Sequence, residues 1–120
     1  MHVIGTWHGL IIDCANPSEL ARFYEQLLGY IRVQDEEQWV VIGKSADHPG
    51  IAFQLIPNYT RPVWPSGEVP TQMHIDVRVE SLQEAHDAAL ALGATLLKQS
   101  SETFWVMADP EGHPFCIVQF

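Results

Sequence analysis

The chain repeats itself, and that repetition constrains its fold more than any other feature. In the first half an apolar, extended stretch, Val3–Asp13, precedes a helix signal. Asn16 is placed to cap the helix, Pro17 to occupy its first turn and Glu19 to meet its positive end. Leu20, Phe23, Tyr24, Leu27 and Leu28 recur at helical spacing, and Gly29 supplies the stop. Short strands are predicted at Tyr30–Gln34, Gln38–Ile42 and Gly50–Ile56.

The second half runs the same way. Met73–Val79 alternates as a strand, with Met73, Ile75, Val77 and Val79 on one face and His74, Asp76 and Arg78 on the other. Ser81 caps a helix, Glu84 completes a capping-box pattern, and Gly93 ends a stripe of Leu82, Ala85, Ala89 and Leu92. Strands at Thr95–Lys98, Phe104–Ala108 and Pro114–Gln119 complete the unit. Individual residues match too. His8 and His74 stand at similar distances ahead of Gly29 and Gly93, and Trp39-Val40-Val41 corresponds to Trp105-Val106-Met107. Without a gap, Ala46-Asp47-x-x-Gly50-x-x-Phe53-Gln54-Leu55 lines up with Ala108-Asp109-x-x-Gly112-x-x-Phe115-Cys116-Ile117.

The order of elements predicts an α+β fold of two tandem βαβββ units in one domain over residues 1–120. The first unit covers about 1–57, a linker about 58–71 and the second unit about 72–120. Four prolines and a glycine lie within Pro57–Gln72, which excludes a helix or a central strand there. Tyr59, Arg61 and Trp64 of this stretch are placed to lie over a binding cleft.

Composition narrows the function classes. The net charge is −9, with 15 acidic residues against 6 basic ones, and such a surface repels nucleic-acid backbones. No run approaches the roughly 18 apolar residues that a membrane span needs, and Met1–Leu10 has no signal-peptide pattern. A cytoplasmic protein is expected. Its two cysteines, Cys14 and Cys116, are not spaced as a redox pair or a zinc ribbon.

Four segments in order carry a resemblance: HGLIIDCANPSELARFYEQLLGY, IAFQLIP, QMHIDVRVESLQEAHDAALALGA and ADPEGHPFCIV. Together they resemble the vicinal-oxygen-chelate superfamily of glyoxalase, bleomycin-resistance and dioxygenase proteins, and most of all its glyoxalase-like group. The resemblance implies two curved mixed sheets that form a cup for a small molecule, and assembly as a homodimer. In metal-dependent members the first and last strands of each unit carry one ligand each. Carried over, those positions are His8, Gln54, His74 and Cys116. The implied cofactor is a divalent metal (zinc, nickel, iron or manganese), and a metal-free cup is the alternative. Cys116 stands where the family's metalloenzymes usually carry glutamate, so none of the four is a carboxylate. A Cys116 thiolate would restore one negative charge and favour zinc over magnesium or calcium.

Asp76 shares the His74 face and is placed to orient that imidazole and to bind substrate, with an ion pair to Arg78 on a polar strip as the alternative. Trp7, Trp39, Phe53, Trp64 and Trp105 are the expected cup walls; Trp39 and Trp105, on equivalent strands, either face each other across the cup or fill the core between sheet and helix. His86 is expected on the solvated face of its helix, His48 and His113 beside turns, and His2 at the terminus, none with a partner at ligand spacing.

Two functions follow from the resemblance. One is a metal-dependent lyase or isomerase of glyoxalase type acting on a small substrate that chelates through neighbouring oxygens. The other is a binding protein that sequesters an aromatic or cationic small molecule, such as a bleomycin-type antibiotic. The acidic charge and four tryptophans suit the second.

Overall fold

A computed structural model describes residues 7–65, 67–71 and 73–119. The Val3–Thr6 part of the expected first strand, His2 and Gln72 lie outside the described residues. The chain divides into two compact units, the first reaching Pro57 and the second starting at Asn58. Each is a four-stranded mixed sheet with one helix, and the element order is the predicted βαβββ in both.

In the first unit β1 (Leu10–Cys14) is followed by α1 (Pro17–Leu28), β2 (Ile31–Glu36), β3 (Trp39–Ser45) and β4 (His48–Leu55). The sheet order is β1-β4-β3-β2, with β1 parallel to β4 and the other pairs antiparallel. The helix begins as its sequence dictates: the Asn16 side chain accepts the Glu19 N–H at 3.4 Å, and Pro17 needs no partner in the first turn. It stops at Gly29, whose φ of 70° lets the Tyr30 N–H turn back to the Glu25 carbonyl at 3.1 Å. Leu20, Ala21, Phe23 and Tyr24 are buried against the sheet.

The β3–β4 hairpin is longer than expected and closes on the two-residue turn Ala46-Asp47. Its ladder shifts register on both sides of Gly43, where a side chain would press within 2.7 Å of the Pro49 Cα. Only glycine permits that approach.

The second unit has β5 (Ile75–Arg78), α2 (Leu82–Ala91), β6 (Thr95–Lys98), β7 (Phe104–Ala108) and β8 (Pro114–Val118), in sheet order β5-β8-β7-β6. Every residue of the central β8 is buried. Ser81 caps α2 by accepting the Glu84 N–H at 3.2 Å, and the Gln119 side chain takes the Leu82 N–H at 3.0 Å. His86 departs from expectation, because only 14% of its side chain is exposed. Its ring meets the Trp105 indole edge-on at 5.5 Å, and its Nδ1 contacts the Asp87 carboxylate at 2.9 Å.

The linker belongs to the second unit. It has no helix or strand among its described residues, as its prolines require. Tyr59 and Arg61 dock on the turn before β8. The Arg61 guanidinium donates to the Pro110 carbonyl at 2.8 Å, and the Tyr59 hydroxyl lies 3.0 Å from both the Glu111 carbonyl and His113 Nε2.

Candidate metal centre

Strand pairing decides which side chains share a face. In β8, Phe115 and Ile117 point to the α2 side, whereas Cys116 and Val118 point away and pack with Val106 of β7. The parallel partner of Cys116 is Asp76 of β5. His74 lies two residues before Asp76, so alternation brings its imidazole to the same side. One donor atom each from His74, Asp76 and Cys116 therefore gather within 4.8 Å of one another. His74 Nε2 stands 3.6 Å from Asp76 Oδ1.

Two further features shape this group. Trp64, carried in by the linker, lays its indole over the His74 ring at 4.9 Å and packs against Val106, Cys116 and Val118. The Cys116 thiol is 4% exposed. Burial pushes its pKa above the ordinary 9.0, and the Asp76 charge pushes the same way. The thiol is thus held protonated in the absence of a cation.

That shift carries a pH signature. A raised pKa means the folded state favours the protonated thiol, so its contribution is fully present below pH 9 and is lost as pH rises through the higher folded value. Denaturation series of the wild type and Cys116→Ala are expected to show a steeper alkaline loss in the wild type. Parallel curves would show that burial does not perturb this thiol.

The donor set suits a borderline-soft divalent ion. Imidazole nitrogen, carboxylate oxygen and thiolate sulfur are the ligands of zinc, cobalt, nickel and iron rather than of magnesium or calcium. In a tetrahedral shell such donors sit roughly 3.3–3.8 Å apart. His74 Nε2 and Asp76 Oδ1, 3.6 Å apart, already have that spacing. Among the described residues this is the one group of three or more His, Cys, Asp or Glu side chains placed to hold a metal.

The four expected ligand positions divide between the units. Cys116 and His74 come together in the second. In the first, Gln54 is exposed at the partner position of Asp13, and His8 precedes the start of β1. Register also revises the internal correspondence. Phe53 pairs with Ile12 and Val40, and Phe115 pairs with Ile75 and Met107. Counting from there, Asp13 corresponds to Asp76, Ile11 to His74 and Trp39 to Val106. His8 is therefore not the structural counterpart of His74, nor Trp39 of Trp105.

The expected wall residues separate accordingly. Phe53 is fully buried and stacks on the Tyr24 ring of α1 at 5.5 Å, so it is a core residue and no wall. Trp105 faces α2 through His86 and is likewise set aside. Trp39 stays on the Gln54 face, opposite Phe53, and Trp7 is 83% exposed. Asp76, expected to orient His74 and to bind substrate, is close enough to Cys116 to act as a donor itself.

His113 has partners that sequence reading missed. Its Nδ1 lies 2.8 Å from Oδ2 of Asp109, a carboxylate that is 1% exposed and also accepts the N–H groups of Glu111 and His113. Its Nε2 reaches the Tyr59 hydroxyl. The Asp-Pro-Glu-Gly-His run was the only local clue, because Tyr59 arrives from a distant segment.

Comparison with known proteins agrees with this architecture. The glyoxalase-like domain family matches residues 9–118. The chain belongs to that family. Among solved structures, a glyoxalase/bleomycin resistance protein/dioxygenase family enzyme from Burkholderia phytofirmans is similar, with TM-score 0.68, 18% identity and coverage of 91% of this chain and 94% of that one. A protein from Agrobacterium tumefaciens gives TM-score 0.69 at 21% identity, over 96% and 98% of the two chains. The fosfomycin resistance protein FosX from Listeria monocytogenes gives TM-score 0.69 at 13% identity, over 98% and 95%. No curated protein matches the chain. At these identities the structural likeness concerns the fold.

Proposed function

We propose that this chain is a metal-dependent lyase or isomerase of glyoxalase type, acting on a small substrate that presents two neighbouring oxygens. The observation that carries the reading is the convergence of His74, Asp76 and Cys116 on the face of their sheet away from α2. The similarity in fold to a fosfomycin resistance protein supports a small, oxygen-rich substrate. His74 and Cys116 are the ligands this reading relies on; His8 and Gln54, the family's positions in the first unit, are to be tested beside them. A divalent ion bound there supplies Lewis acidity to the substrate oxygens.

The chain's own residues do the rest. Asp76, 59% exposed in its side chain, lies against the imidazole and brings a carboxylate charge to the ligand group. Trp64 holds the His74 ring from its other side and offers an aromatic surface to the substrate. Val106 and Val118 keep water from the thiol. Trp39 is the candidate wall in the first unit. A homodimer and a cytoplasmic setting belong to the same reading by family analogy; among the described residues no helix is long and apolar enough to cross a membrane.

The test is a turnover screen of metal-loaded protein against fosfomycin and other small chelating oxygen compounds. One compound is expected to be consumed, with kcat/KM falling about 100-fold in His74→Ala. Full turnover in that variant would remove the metal mechanism. Tryptophan quenching of metal-free protein by a bleomycin-type ligand, with no compound turned over, would replace it by sequestration. The net charge of −9 favours that second reading.

A further inference from the structure

We infer that the second unit by itself holds a zinc- or cobalt-type cation, through His74 Nε2, the Asp76 carboxylate and Cys116 Sγ, without a ligand from the first unit. The inference rests on the reading of this face as a metal-assisted site, but it concerns the ligand set alone.

Three observations carry it. The first is register: β5 and β8 run parallel with Asp76 opposite Cys116, so a carboxylate stands beside the thiol. The expected quartet has no carboxylate, and its glutamate position is Cys116 itself. Here the missing charge comes from the neighbouring strand. A carboxylate and a thiolate together balance a dication, which a set of two imidazoles, an amide and a neutral thiol does not.

The second is asymmetry between the units. The residues that correspond by register to His74, Asp76 and Cys116 are Ile11, Asp13 and Gln54. An apolar side chain replaces the imidazole and an amide replaces the thiol, so the first unit has no equivalent donor set. The repeat duplicated the fold and left this group in one copy.

The third is support around the donors. Trp64 packs on the His74 ring at 4.9 Å and touches the apolar floor that buries Cys116. That contact limits the rotation of the imidazole and keeps Nε2 directed to Asp76, 3.6 Å away. Three protein donors leave one tetrahedral position open, as in catalytic zinc sites.

Cobalt titration of the chelator-stripped full chain tests the set without any substrate. One cobalt per chain is expected, with a near-ultraviolet thiolate-to-cobalt band and visible bands of a tetrahedral ion. Cys116→Ser and Cys116→Ala should both lose the near-ultraviolet band. Asp76→Asn, at an exposed position, should weaken binding at least about 10-fold, and Asp76→Cys should restore it with a second thiolate band. His8→Ala and Gln54→Ala should bind cobalt as the parent does. Absence of the thiolate band in the parent would overturn the proposal. So would its loss in His8→Ala or Gln54→Ala, or parental binding by Asp76→Asn. The thiolate band without turnover of any compound would leave this ligand set standing and remove the catalytic reading; turnover without the band would overturn this ligand set and take Cys116 out of the catalytic reading, leaving a metal site on other donors.

Discussion

Truncating Phe53 to alanine is expected to destabilise the protein by about 3–5 kcal/mol, the range for removing a buried aromatic from a packed core. Phe53 is fully buried at the centre of the first sheet, with Ile12 of β1 on one side and Val40 of β3 on the other. Its ring stacks on Tyr24, which in turn meets Phe23 edge-on at 5.0 Å. Removing it opens a cavity under α1 that the two-sided strand pairing prevents from collapsing. Phe53→Leu keeps most of the volume and should lose less than about 1.5 kcal/mol. The adjacent Gln54→Ala, on the exposed face, should stay within about 0.5 kcal/mol. Urea denaturation of the three variants measures this directly. A loss below about 1 kcal/mol for Phe53→Ala would return Phe53 to the wall of a binding face.

The second large effect is expected at Asp109. Its carboxylate is buried and accepts the Glu111 N–H at 2.8 Å, the His113 N–H at 3.0 Å and the His113 ring at 2.8 Å. Asp109→Ala removes the acceptor shared by those donors in a buried turn and breaks the ion pair with His113, at a cost of about 3–5 kcal/mol. Asp109→Asn keeps an acceptor but loses the charge, and should cost about 1–3 kcal/mol. The effect should spread to the linker, because Tyr59 is held by Glu111 and His113 of the same turn. Limited proteolysis of Asp109→Ala should therefore show faster cleavage within residues 57–65 than in the wild type. Equal cleavage rates would mean that the linker is held without this turn.

Much of the architecture was legible in the amino-acid order. The start of α1 at Asn16-Pro17 and its end at Gly29 lie within a residue of where cap chemistry puts them. The strands at Thr95–Lys98 and Phe104–Ala108 are the ones that the repeated unit predicts. These signals are local, because a cap or a pleat involves atoms a few residues apart. The family segments were legible for the same reason.

The site was only half legible. His74 and Cys116 were found through resemblance, and alternation put Asp76 on the His74 face. Matching Trp39 to Trp105 was off by one residue. Such a slip exchanges the two faces of a strand, because side chains alternate with a period of two. Phe53 and Trp105 were misplaced in the same manner: an aromatic on a strand looks alike whether it faces a helix or a ligand. His86 looked solvated and His113 looked unpartnered because Trp105 and Tyr59, which meet them, come from other elements.

By itself, then, the sequence determined the two βαβββ units, the helix ends and the irregular linker. Each follows from backbone preferences and periodicity that neighbouring residues express on their own. The tertiary structure decided which aromatic residues are core and which turn histidine is latched. It also brought a carboxylate from β5 beside a thiol from β8. Those outcomes depend on the register of strands distant in the chain, and register is chosen by how the whole sheet packs against its helix.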